Sequence, residues 1–425
     1  MKDYARILQE ELVPAMGCTE PIAIALCAAK ARAMLGQDPE RMELHCSGNI
    51  IKNARSVTVP GTKGLCGIDA AAAAGCFGGD ADLLLEVLNP LTDASLAKAK
   101  QFVEERKLQI FHAKNVDSLY IKARLFAGNQ VAEAVIEGEH THFSQLTLNG
   151  EHLLLAQHKP AENKETEEEI DVADILRFAE ALDCDRQIVL CDLIDRQIRL
   201  NLAIAQEGLD HSYGAMVGRT LLDCAPDALR ERIRAYAAAG SDARMAGCAM
   251  PVVINSGSGN QGITASLPLI IYAQEKGIDQ ETLRRGLVLS NLLAIMIKRL
   301  IGRLSAFCGV VSAAAAAGAG LAWLQGLNEE QISKIISISL LTAGGIFCDG
   351  AKASCASKIA VSLDSALLAL DMVKKGRSLP VFQGLDAGDI NVTIRHIARI
   401  AREGMMEPDN MILQTMLATT PHQDA

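Results

Sequence analysis

Aromatic side chains are scarce, at 4% of a 425-residue chain with a single Trp. Flat platforms for stacking bases or sugar rings are therefore not expected, and the abundant Ala and Gly point to closely packed helices of small residues. A basic excess is also missing. Lys plus Arg number 41 against 51 Asp plus Glu, a net charge of −10, and that balance repels nucleic acid and anionic membrane surfaces alike. The opening MKDYARILQEELVPAM carries Asp3, Glu10 and Glu11 where an export signal would need an unbroken apolar core, so a cytoplasmic chain is expected. Long hydrophobic runs are nearly absent too. Residues 304–327 form 24 positions without a charge, but fourteen are Ala, Gly or Ser, which insert poorly into a bilayer; the stretch reads as a helix at the centre of a bundle. None of the 12 cysteines forms a CxxC pair, which removes zinc ribbons and thioredoxin-type sites. In the cytosol they are not expected to form a disulfide framework.

What is present suffices for a sizeable core: 49% of residues are apolar and 22% charged, and the length suits two domains. The expected class is α+β. Residues 1–160 read as a domain of helices, short strands and hairpins. Strands are expected at MELHC and SVTVPGT around a polar SGNIIKN loop, then at LQIFH, SLYIKARLF, QVAEAVIEG and QLTLNGEHLLL. Turns fall at Gly128-Asn129 and Asn149-Gly150. An Ala-rich helix is expected from Ile68 to Gly75. Residues 161–171, within the acidic KPAENKETEEEID, read as a linker. From 172 to 425 strand signals fade, and apolar segments of helical period at 172–182, 188–205, 229–239, 281–300, 329–341 and 358–374 predict an all-helical domain. No fixed-period repeat is present, which disfavours a solenoid.

Three loops interrupt these helices with residues that carry chemistry. Asn255-Ser-Gly-Ser-Gly-Asn-Gln-Gly262 offers amides and hydroxyls to an anion at the start of the next helix, or is simply a turn between helices. No Lys-Ser/Thr follows it, so it is not a Walker loop. Ser305-Ala-Phe-Cys308-Gly309 opens the central Ala-rich helix. Gly344-Gly-Ile-Phe-Cys348-Asp-Gly350 leads to Cys355, placing two thiols seven residues apart around a turn.

These segments, with Gly17-Cys-Thr-Glu-Pro21, Lys52-Asn53, Val59-Pro-Gly-Thr62 and Ser241-Asp-Ala-Arg-Met245, resemble the cysteine desulfidase family, relatives of the iron-sulfur L-serine dehydratases, over essentially the whole chain. The resemblance implies that the C-terminal domain is like the iron-sulfur serine dehydratase catalytic domain. It also implies an oxygen-sensitive 4Fe-4S cluster on Cys308, Cys348 and Cys355 with one iron open to substrate, and a lyase converting L-cysteine to pyruvate, ammonia and sulfide. Cys18, at a helix N-terminus that would lower its pKa, is the expected base, with Glu20 next in line. Ser256, Ser258, Gly259, Asn260 and Arg244 are expected to bind substrate, with Glu20, Asn49, Lys52 and Asn53 lining the other side. The remaining cysteines, including 184 and 191, are expected to pack. The tail DNMILQTMLATTPHQDA lacks the terminal cysteine of the serine dehydratases, and Gly-Cys-Thr stands where they have Ser-His-Thr. A serine-type amino-acid deaminase and a non-catalytic iron-sulfur redox sensor are the rival readings, and a pyridoxal phosphate lyase would give the same net reaction, although no binding pattern for that cofactor surrounds Lys52 or Lys358. The expected partner is a small amino acid, with no nucleic acid or membrane; a homo-oligomer is left open.

Overall fold

The computed structural model describes residues 3–155, 171–302 and 304–418. Helix α1 (Tyr4–Glu11) starts where Asp3 accepts the Arg6 amide, and strand β1 (Pro14–Met16) follows. Gly17 then turns the chain at φ +57° into α2 (Thr19–Leu35), whose N-cap is Cys18. A Cβ at Gly17 would sit 2.2 Å from the Pro60 ring, so the Gly17–Pro21 and Val59–Thr62 segments fit together only because this position is glycine. Next come β2 (Arg41–Cys46), α3 (Gly48–Ala54), α4 (Gly67–Gly78) and α5 (Asp93–Glu104). Strand β3 (Leu108–His112) follows, and a meander of β4 (Tyr120–Ala127), β5 (Gln130–Glu137), β6 (Phe143–Leu148) and β7 (Glu151–Leu155) completes the first half. The sheet order is β3-β2-β4-β5-β6-β7, antiparallel except for β2 with β3. Strand β4 alternates buried and half-buried residues, so one face is closed against α2.

The second half contains α6 (Val172–Glu180), α7 (Ile188–Asp210), α8 (Val217–Cys224), α9 (Leu229–Met245), β8 (Pro251–Val253), α10 (Gly259–Lys276) and α11 (Gln280–Ile301). It continues with α12 (Gly309–Leu324), α13 (Glu329–Ala343), α14 (Ser354–Lys374), α15 (Ile390–Arg399) and α16 (Met406–Ala418). Helix α12 sits at the centre, buried from Val310 to Ala322 and packed on α10, α11, α13 and α14. Its Ala and Gly side chains let four helix backbones approach, as the charge-free stretch suggested. Among the described residues no helix is long and apolar enough to cross a membrane.

Several expectations need correction. The second half is not all helical: β8 pairs antiparallel with β1 and stitches the two halves together. The SGNIIKN segment forms α3 because Ile50 and Ile51 pack into the core, which outweighs the weak helix preference of its Asn and Gly residues. SVTVPGT makes no strand; Pro60 lacks an amide and Gly61 turns, leaving one bridge between Thr58 and Cys66. Cys184 and Cys191 do not pack as free thiols but form a disulfide, because the turn before α7 brings their Cα atoms to 5.7 Å. Cys66 and Cys224 are exposed. Of the acidic linker, residues 161–170 lie outside the described residues, as does the tail from 419; Asp171 caps α6.

Asp242 adds a pH-dependent element. It is fully buried, and Oδ2 accepts the Gly218 amide at 3.1 Å. Burial pushes its carboxyl up to about 6, against the backbone amides of Gly218, Val217 and Ala215. A carboxyl whose folded pKa exceeds its unfolded value of about 3.9 favours the fold while protonated. That contribution is complete below the unfolded value and is lost as pH rises through about 6. The urea midpoint is expected to drop between about pH 4 and pH 7 for this reason. Asp242→Asn should flatten the drop, and an unchanged pH profile in the variant would refute the assignment.

Candidate active site at four helix N-termini

A cavity of about 100 Å³ lies where the N-termini of α2, α10, α12 and α14 meet, supplied by both halves of the chain. From α2 come Cys18, Thr19 and Glu20; from α10 Ser258, Asn260 and Gln261; from α12 Cys308, Gly309 and Val310; and from α14 Cys355. Asn53 of α3, Arg244 at the end of α9 and Lys298 of α11 complete the polar lining, with Cys348 on the loop before α14. Four helix N-termini give the cavity a positive field and unpaired amides. Among the described residues Glu20 is the one lining carboxylate, against Arg244 and Lys298. Such a lining favours an anion over a cation.

The thiols are held by backbone. Phe307 and Phe347 form an antiparallel bridge, with the Cys308 amide donating to the Ile346 carbonyl at 3.1 Å and the Cys348 amide to the Ala306 carbonyl at 2.6 Å. Cys308 and Cys348 are thereby diagonal neighbours on one side of a short ladder, although 40 residues separate them in sequence. Gly350, at φ +94°, lets the following loop press against α3: a Cβ there would lie 2.2 Å from the Lys52 carbonyl oxygen. That approach swings Cys355 into the same cavity, packed against the cluster of Cys18, Val57 and Met245. Burial pushes Cys308 up to about 12, with the neighbouring Cys348 adding to the effect, and raises Cys355 as well.

Among the described residues no three His, Cys, Asp or Glu side chains gather closely enough to hold a single metal ion. A single ion needs donors converging on a point. A multi-iron cluster instead takes one thiolate per iron, so its ligands surround a volume. Three thiols around one cavity, beside a buried ammonium and helix N-termini, fit an anionic cluster of that kind.

Cys18 is not the activated thiolate that its helix position suggests. Its side chain is buried, and burial together with the Glu20 charge holds the thiol well above its ordinary value, with Arg244 opposing. The thiol donates to Glu20 Oε2 at 3.0 Å, and Asn53 Nδ2 donates to Glu20 Oε1 at 3.0 Å. The Thr19 hydroxyl donates to the Gly257 carbonyl at 2.7 Å and fixes the first turn of α2 on the glycine-rich loop. Burial alone would raise Glu20; His140, the Cys18 hydrogen bond and Arg244 outweigh it and hold the carboxyl below its ordinary value. Glu20 is thus the charged member of the pair and Cys18 the protonated one.

Arg244 is 2% exposed; its Nη1 donates to Asn260 Oδ1 at 3.1 Å, and Nε has no partner. It makes no ion pair with a carboxylate among the described residues. Gln261 Oε1 and Asn53 Oδ1 are likewise buried and unpartnered, and the Gln261 side chain lies over Gly309. All three residues line the same cavity.

The expected residues therefore divide. Cys18, Glu20, Asn53, Arg244, Ser258, Asn260, Cys308, Cys348 and Cys355 come together, and Gly259 lies directly beneath Arg244. Ser256 does not line the cavity; at φ +51° it turns the loop, its hydroxyl donating to Asn255 Oδ1 at 2.9 Å. Asn49 and Lys52 face a separate cavity on the other side of α3, where the buried Lys52 ammonium pairs with Asp409 of α16. A helix turns successive residues by 100°, so Lys52 and Asn53 cannot share a face. Lys298, Thr19 and Gln261 were not singled out. Gln261 lay inside the glycine-rich motif, and Lys298 interrupts the apolar run AIMIKRLI, a signal easily read as a helix edge.

Comparison with known proteins agrees in outline. The family model described as serine dehydratase alpha chain matches residues 126–414. The chain is 44% identical over 421 residues to a UPF0597 protein of Finegoldia magna, covering 98% of this chain and 100% of that one. It is 44% identical over 417 residues to a UPF0597 protein of Lachnoclostridium phytofermentans, covering 98% and 99%. A UPF0597 protein of Desulfitobacterium hafniense is 43% identical over 416 residues, with 97% and 96% covered.

Proposed function

From the premise that the chain belongs to the serine dehydratase alpha chain family, we propose that it is a carbon-sulfur lyase that eliminates the β-thiol of L-cysteine to give pyruvate, ammonia and sulfide. The observation that carries the reading is the buried Arg244, without a carboxylate partner among the described residues, facing the same cavity as the Cys18–Glu20 pair and three further thiols. Arg244, Asn260 and the first amides of α10 hold the substrate carboxylate, which strengthens the acidity of the neighbouring Cα–H. Cys18 Sγ takes the α-proton as its own proton passes to Glu20 Oε2 along their hydrogen bond, so one negative charge leaves the carboxylate and none is added. Asn53 keeps Glu20 aligned through this transfer. The electron pair released at Cα forms the Cα–Cβ double bond as the β-substituent departs, and the aminoacrylate then tautomerises and hydrolyses in water.

Cys308, Cys348 and Cys355 are the residues that would hold a 4Fe-4S cluster, which supplies a Lewis-acidic iron for the departing group and, being soft, favours sulfur. The rival reading is elimination of hydroxide from L-serine, favoured by the description of the matching family model. Product analysis separates them: anaerobic protein given L-cysteine or L-serine in parallel is assayed for pyruvate, ammonia and sulfide. A higher kcat/KM for cysteine with equimolar sulfide and pyruvate supports the desulfidase. Faster pyruvate release from serine overturns it in favour of the dehydratase.

The carboxylate site has a steric test. A Cβ on residue 259 would lie 2.2 Å from Arg244 Nε and 2.6 Å from its Cζ. The end of a flexible side chain can move away, so Gly259→Ala should fold while displacing the guanidinium. Loss of a charged hydrogen bond is worth about 1.5–3 kcal/mol, so KM should rise roughly 10- to 100-fold with an unchanged circular dichroism spectrum. An unaltered KM would show that Arg244 does not hold the substrate.

A further inference from the structure

Lys298 is 4% exposed on α11, among the buried Ile295, Met296, Ile297 and Ile301, and it lines the cavity. Among the described residues its ammonium makes no hydrogen bond or ion pair. The charged and thiol groups that act on it come from four other elements: Cys348, Cys308, Lys52 and Glu20, with the two thiols foremost. Glu20 is already engaged by Cys18 and Asn53, and Lys52 repels. A buried ammonium without a partner is a cost that Met or Leu at this position would avoid. The charge is useful only if an anion enters the cavity. Arg244 already serves the α10 wall, whereas Lys298 stands at the thiol wall.

We propose that Lys298 is a positioning residue for the thiolate site, the fixed counter-charge that lets Cys308 and Cys348 carry an anionic iron-sulfur cluster in the protein interior. This rests on the cluster reading given above. Each ligating thiolate brings negative charge into a buried space, and a nearby fixed cation offsets it without itself binding iron. It also eases the addition of an electron, since reduction adds one more negative charge.

The test compares wild type, Lys298→Met and Lys298→Arg, all purified and reconstituted anaerobically, by iron content, cluster midpoint potential and the rate at which cluster absorbance is lost to a chelator. Lys298→Met should shift the potential to a more negative value and hasten cluster loss, or bind no iron at all while remaining folded; Lys298→Arg should recover most of the difference. A merely structural role would leave the potential unmoved, and a potential and lifetime equal to wild type in Lys298→Met would overturn the proposal. If the methionine variant fails to fold, Lys298→Gln carries the same comparison. A wild-type protein that takes up no cluster overturns the cluster reading and this proposal with it. A wild-type cluster that is indifferent to residue 298 overturns this proposal alone.

Discussion

Replacing Cys348 by serine is expected to abolish both bound iron and turnover. The side chain is half-buried and its amide, not its sulfur, makes the bridge to Ala306, so the loop should keep its shape when sulfur becomes oxygen. What is lost is one of three thiolates. A hydroxyl does not ionise near neutral pH and is a hard donor, poorly matched to a cluster that thiolates hold. Iron per chain should fall far below wild type in Cys348→Ser, and likewise in Cys308→Ser and Cys355→Ser. The exposed Cys66 provides the control, since Cys66→Ser should retain iron and rate. Full iron in Cys348→Ser would remove that residue from the ligand set.

Glu20→Gln is expected to leave iron in place and lower kcat by about 10² to 10⁴, the usual range for general-base catalysis. Glutamine can still accept a hydrogen bond from Cys18 but cannot take its proton, so the thiol stays protonated at a site where burial already disfavours the thiolate. Cys18→Ser should produce a loss of the same order with the cluster spectrum intact, because both groups serve one proton transfer. Additivity offers a sharper reading. Groups that act as a unit show far less than the sum of their separate losses when both are removed, so the double variant should be little worse than either single one. Losses that multiply would mean that the two residues do separate work. Normal kcat in Glu20→Gln, with a large loss in Cys18→Ser, would remove Glu20 from the proton transfer and leave Cys18 as the base; normal kcat in both would place the base elsewhere than in this pair.

The strands were legible because their chemistry is local. In β4, β5 and β6, alternation and the turns at Gly128-Asn129 and Asn149-Gly150 are visible in consecutive residues, and the ladders follow them. Strand β8 was not legible: three residues are too few to show a period, and its partner β1 lies more than two hundred positions away. The cysteines at 308, 348 and 355 could be singled out by their motifs, but their meeting in one cavity depends on the Phe307–Phe347 bridge and on Gly350 against α3. Cys18 shows the limit most clearly. The helix N-terminus was readable, and by itself it would favour thiolate; burial and the adjacent ionised Glu20 reverse the sign. Lys298 escaped notice because its significance comes from what faces it across the cavity, and of those groups only Cys308, on the far side of a helix end, is near it in sequence.

The most direct measurement is the dependence of rate on cluster occupancy. Anaerobic protein reconstituted to graded iron and sulfide contents is assayed for sulfide and pyruvate formed from L-cysteine at each occupancy. The expected result is a rate proportional to occupancy, passing through zero for iron-free protein and reaching its maximum at about four iron and four sulfide per chain. Equal turnover by iron-free and fully loaded protein, or a loaded cluster with no elimination from cysteine, would contradict the account.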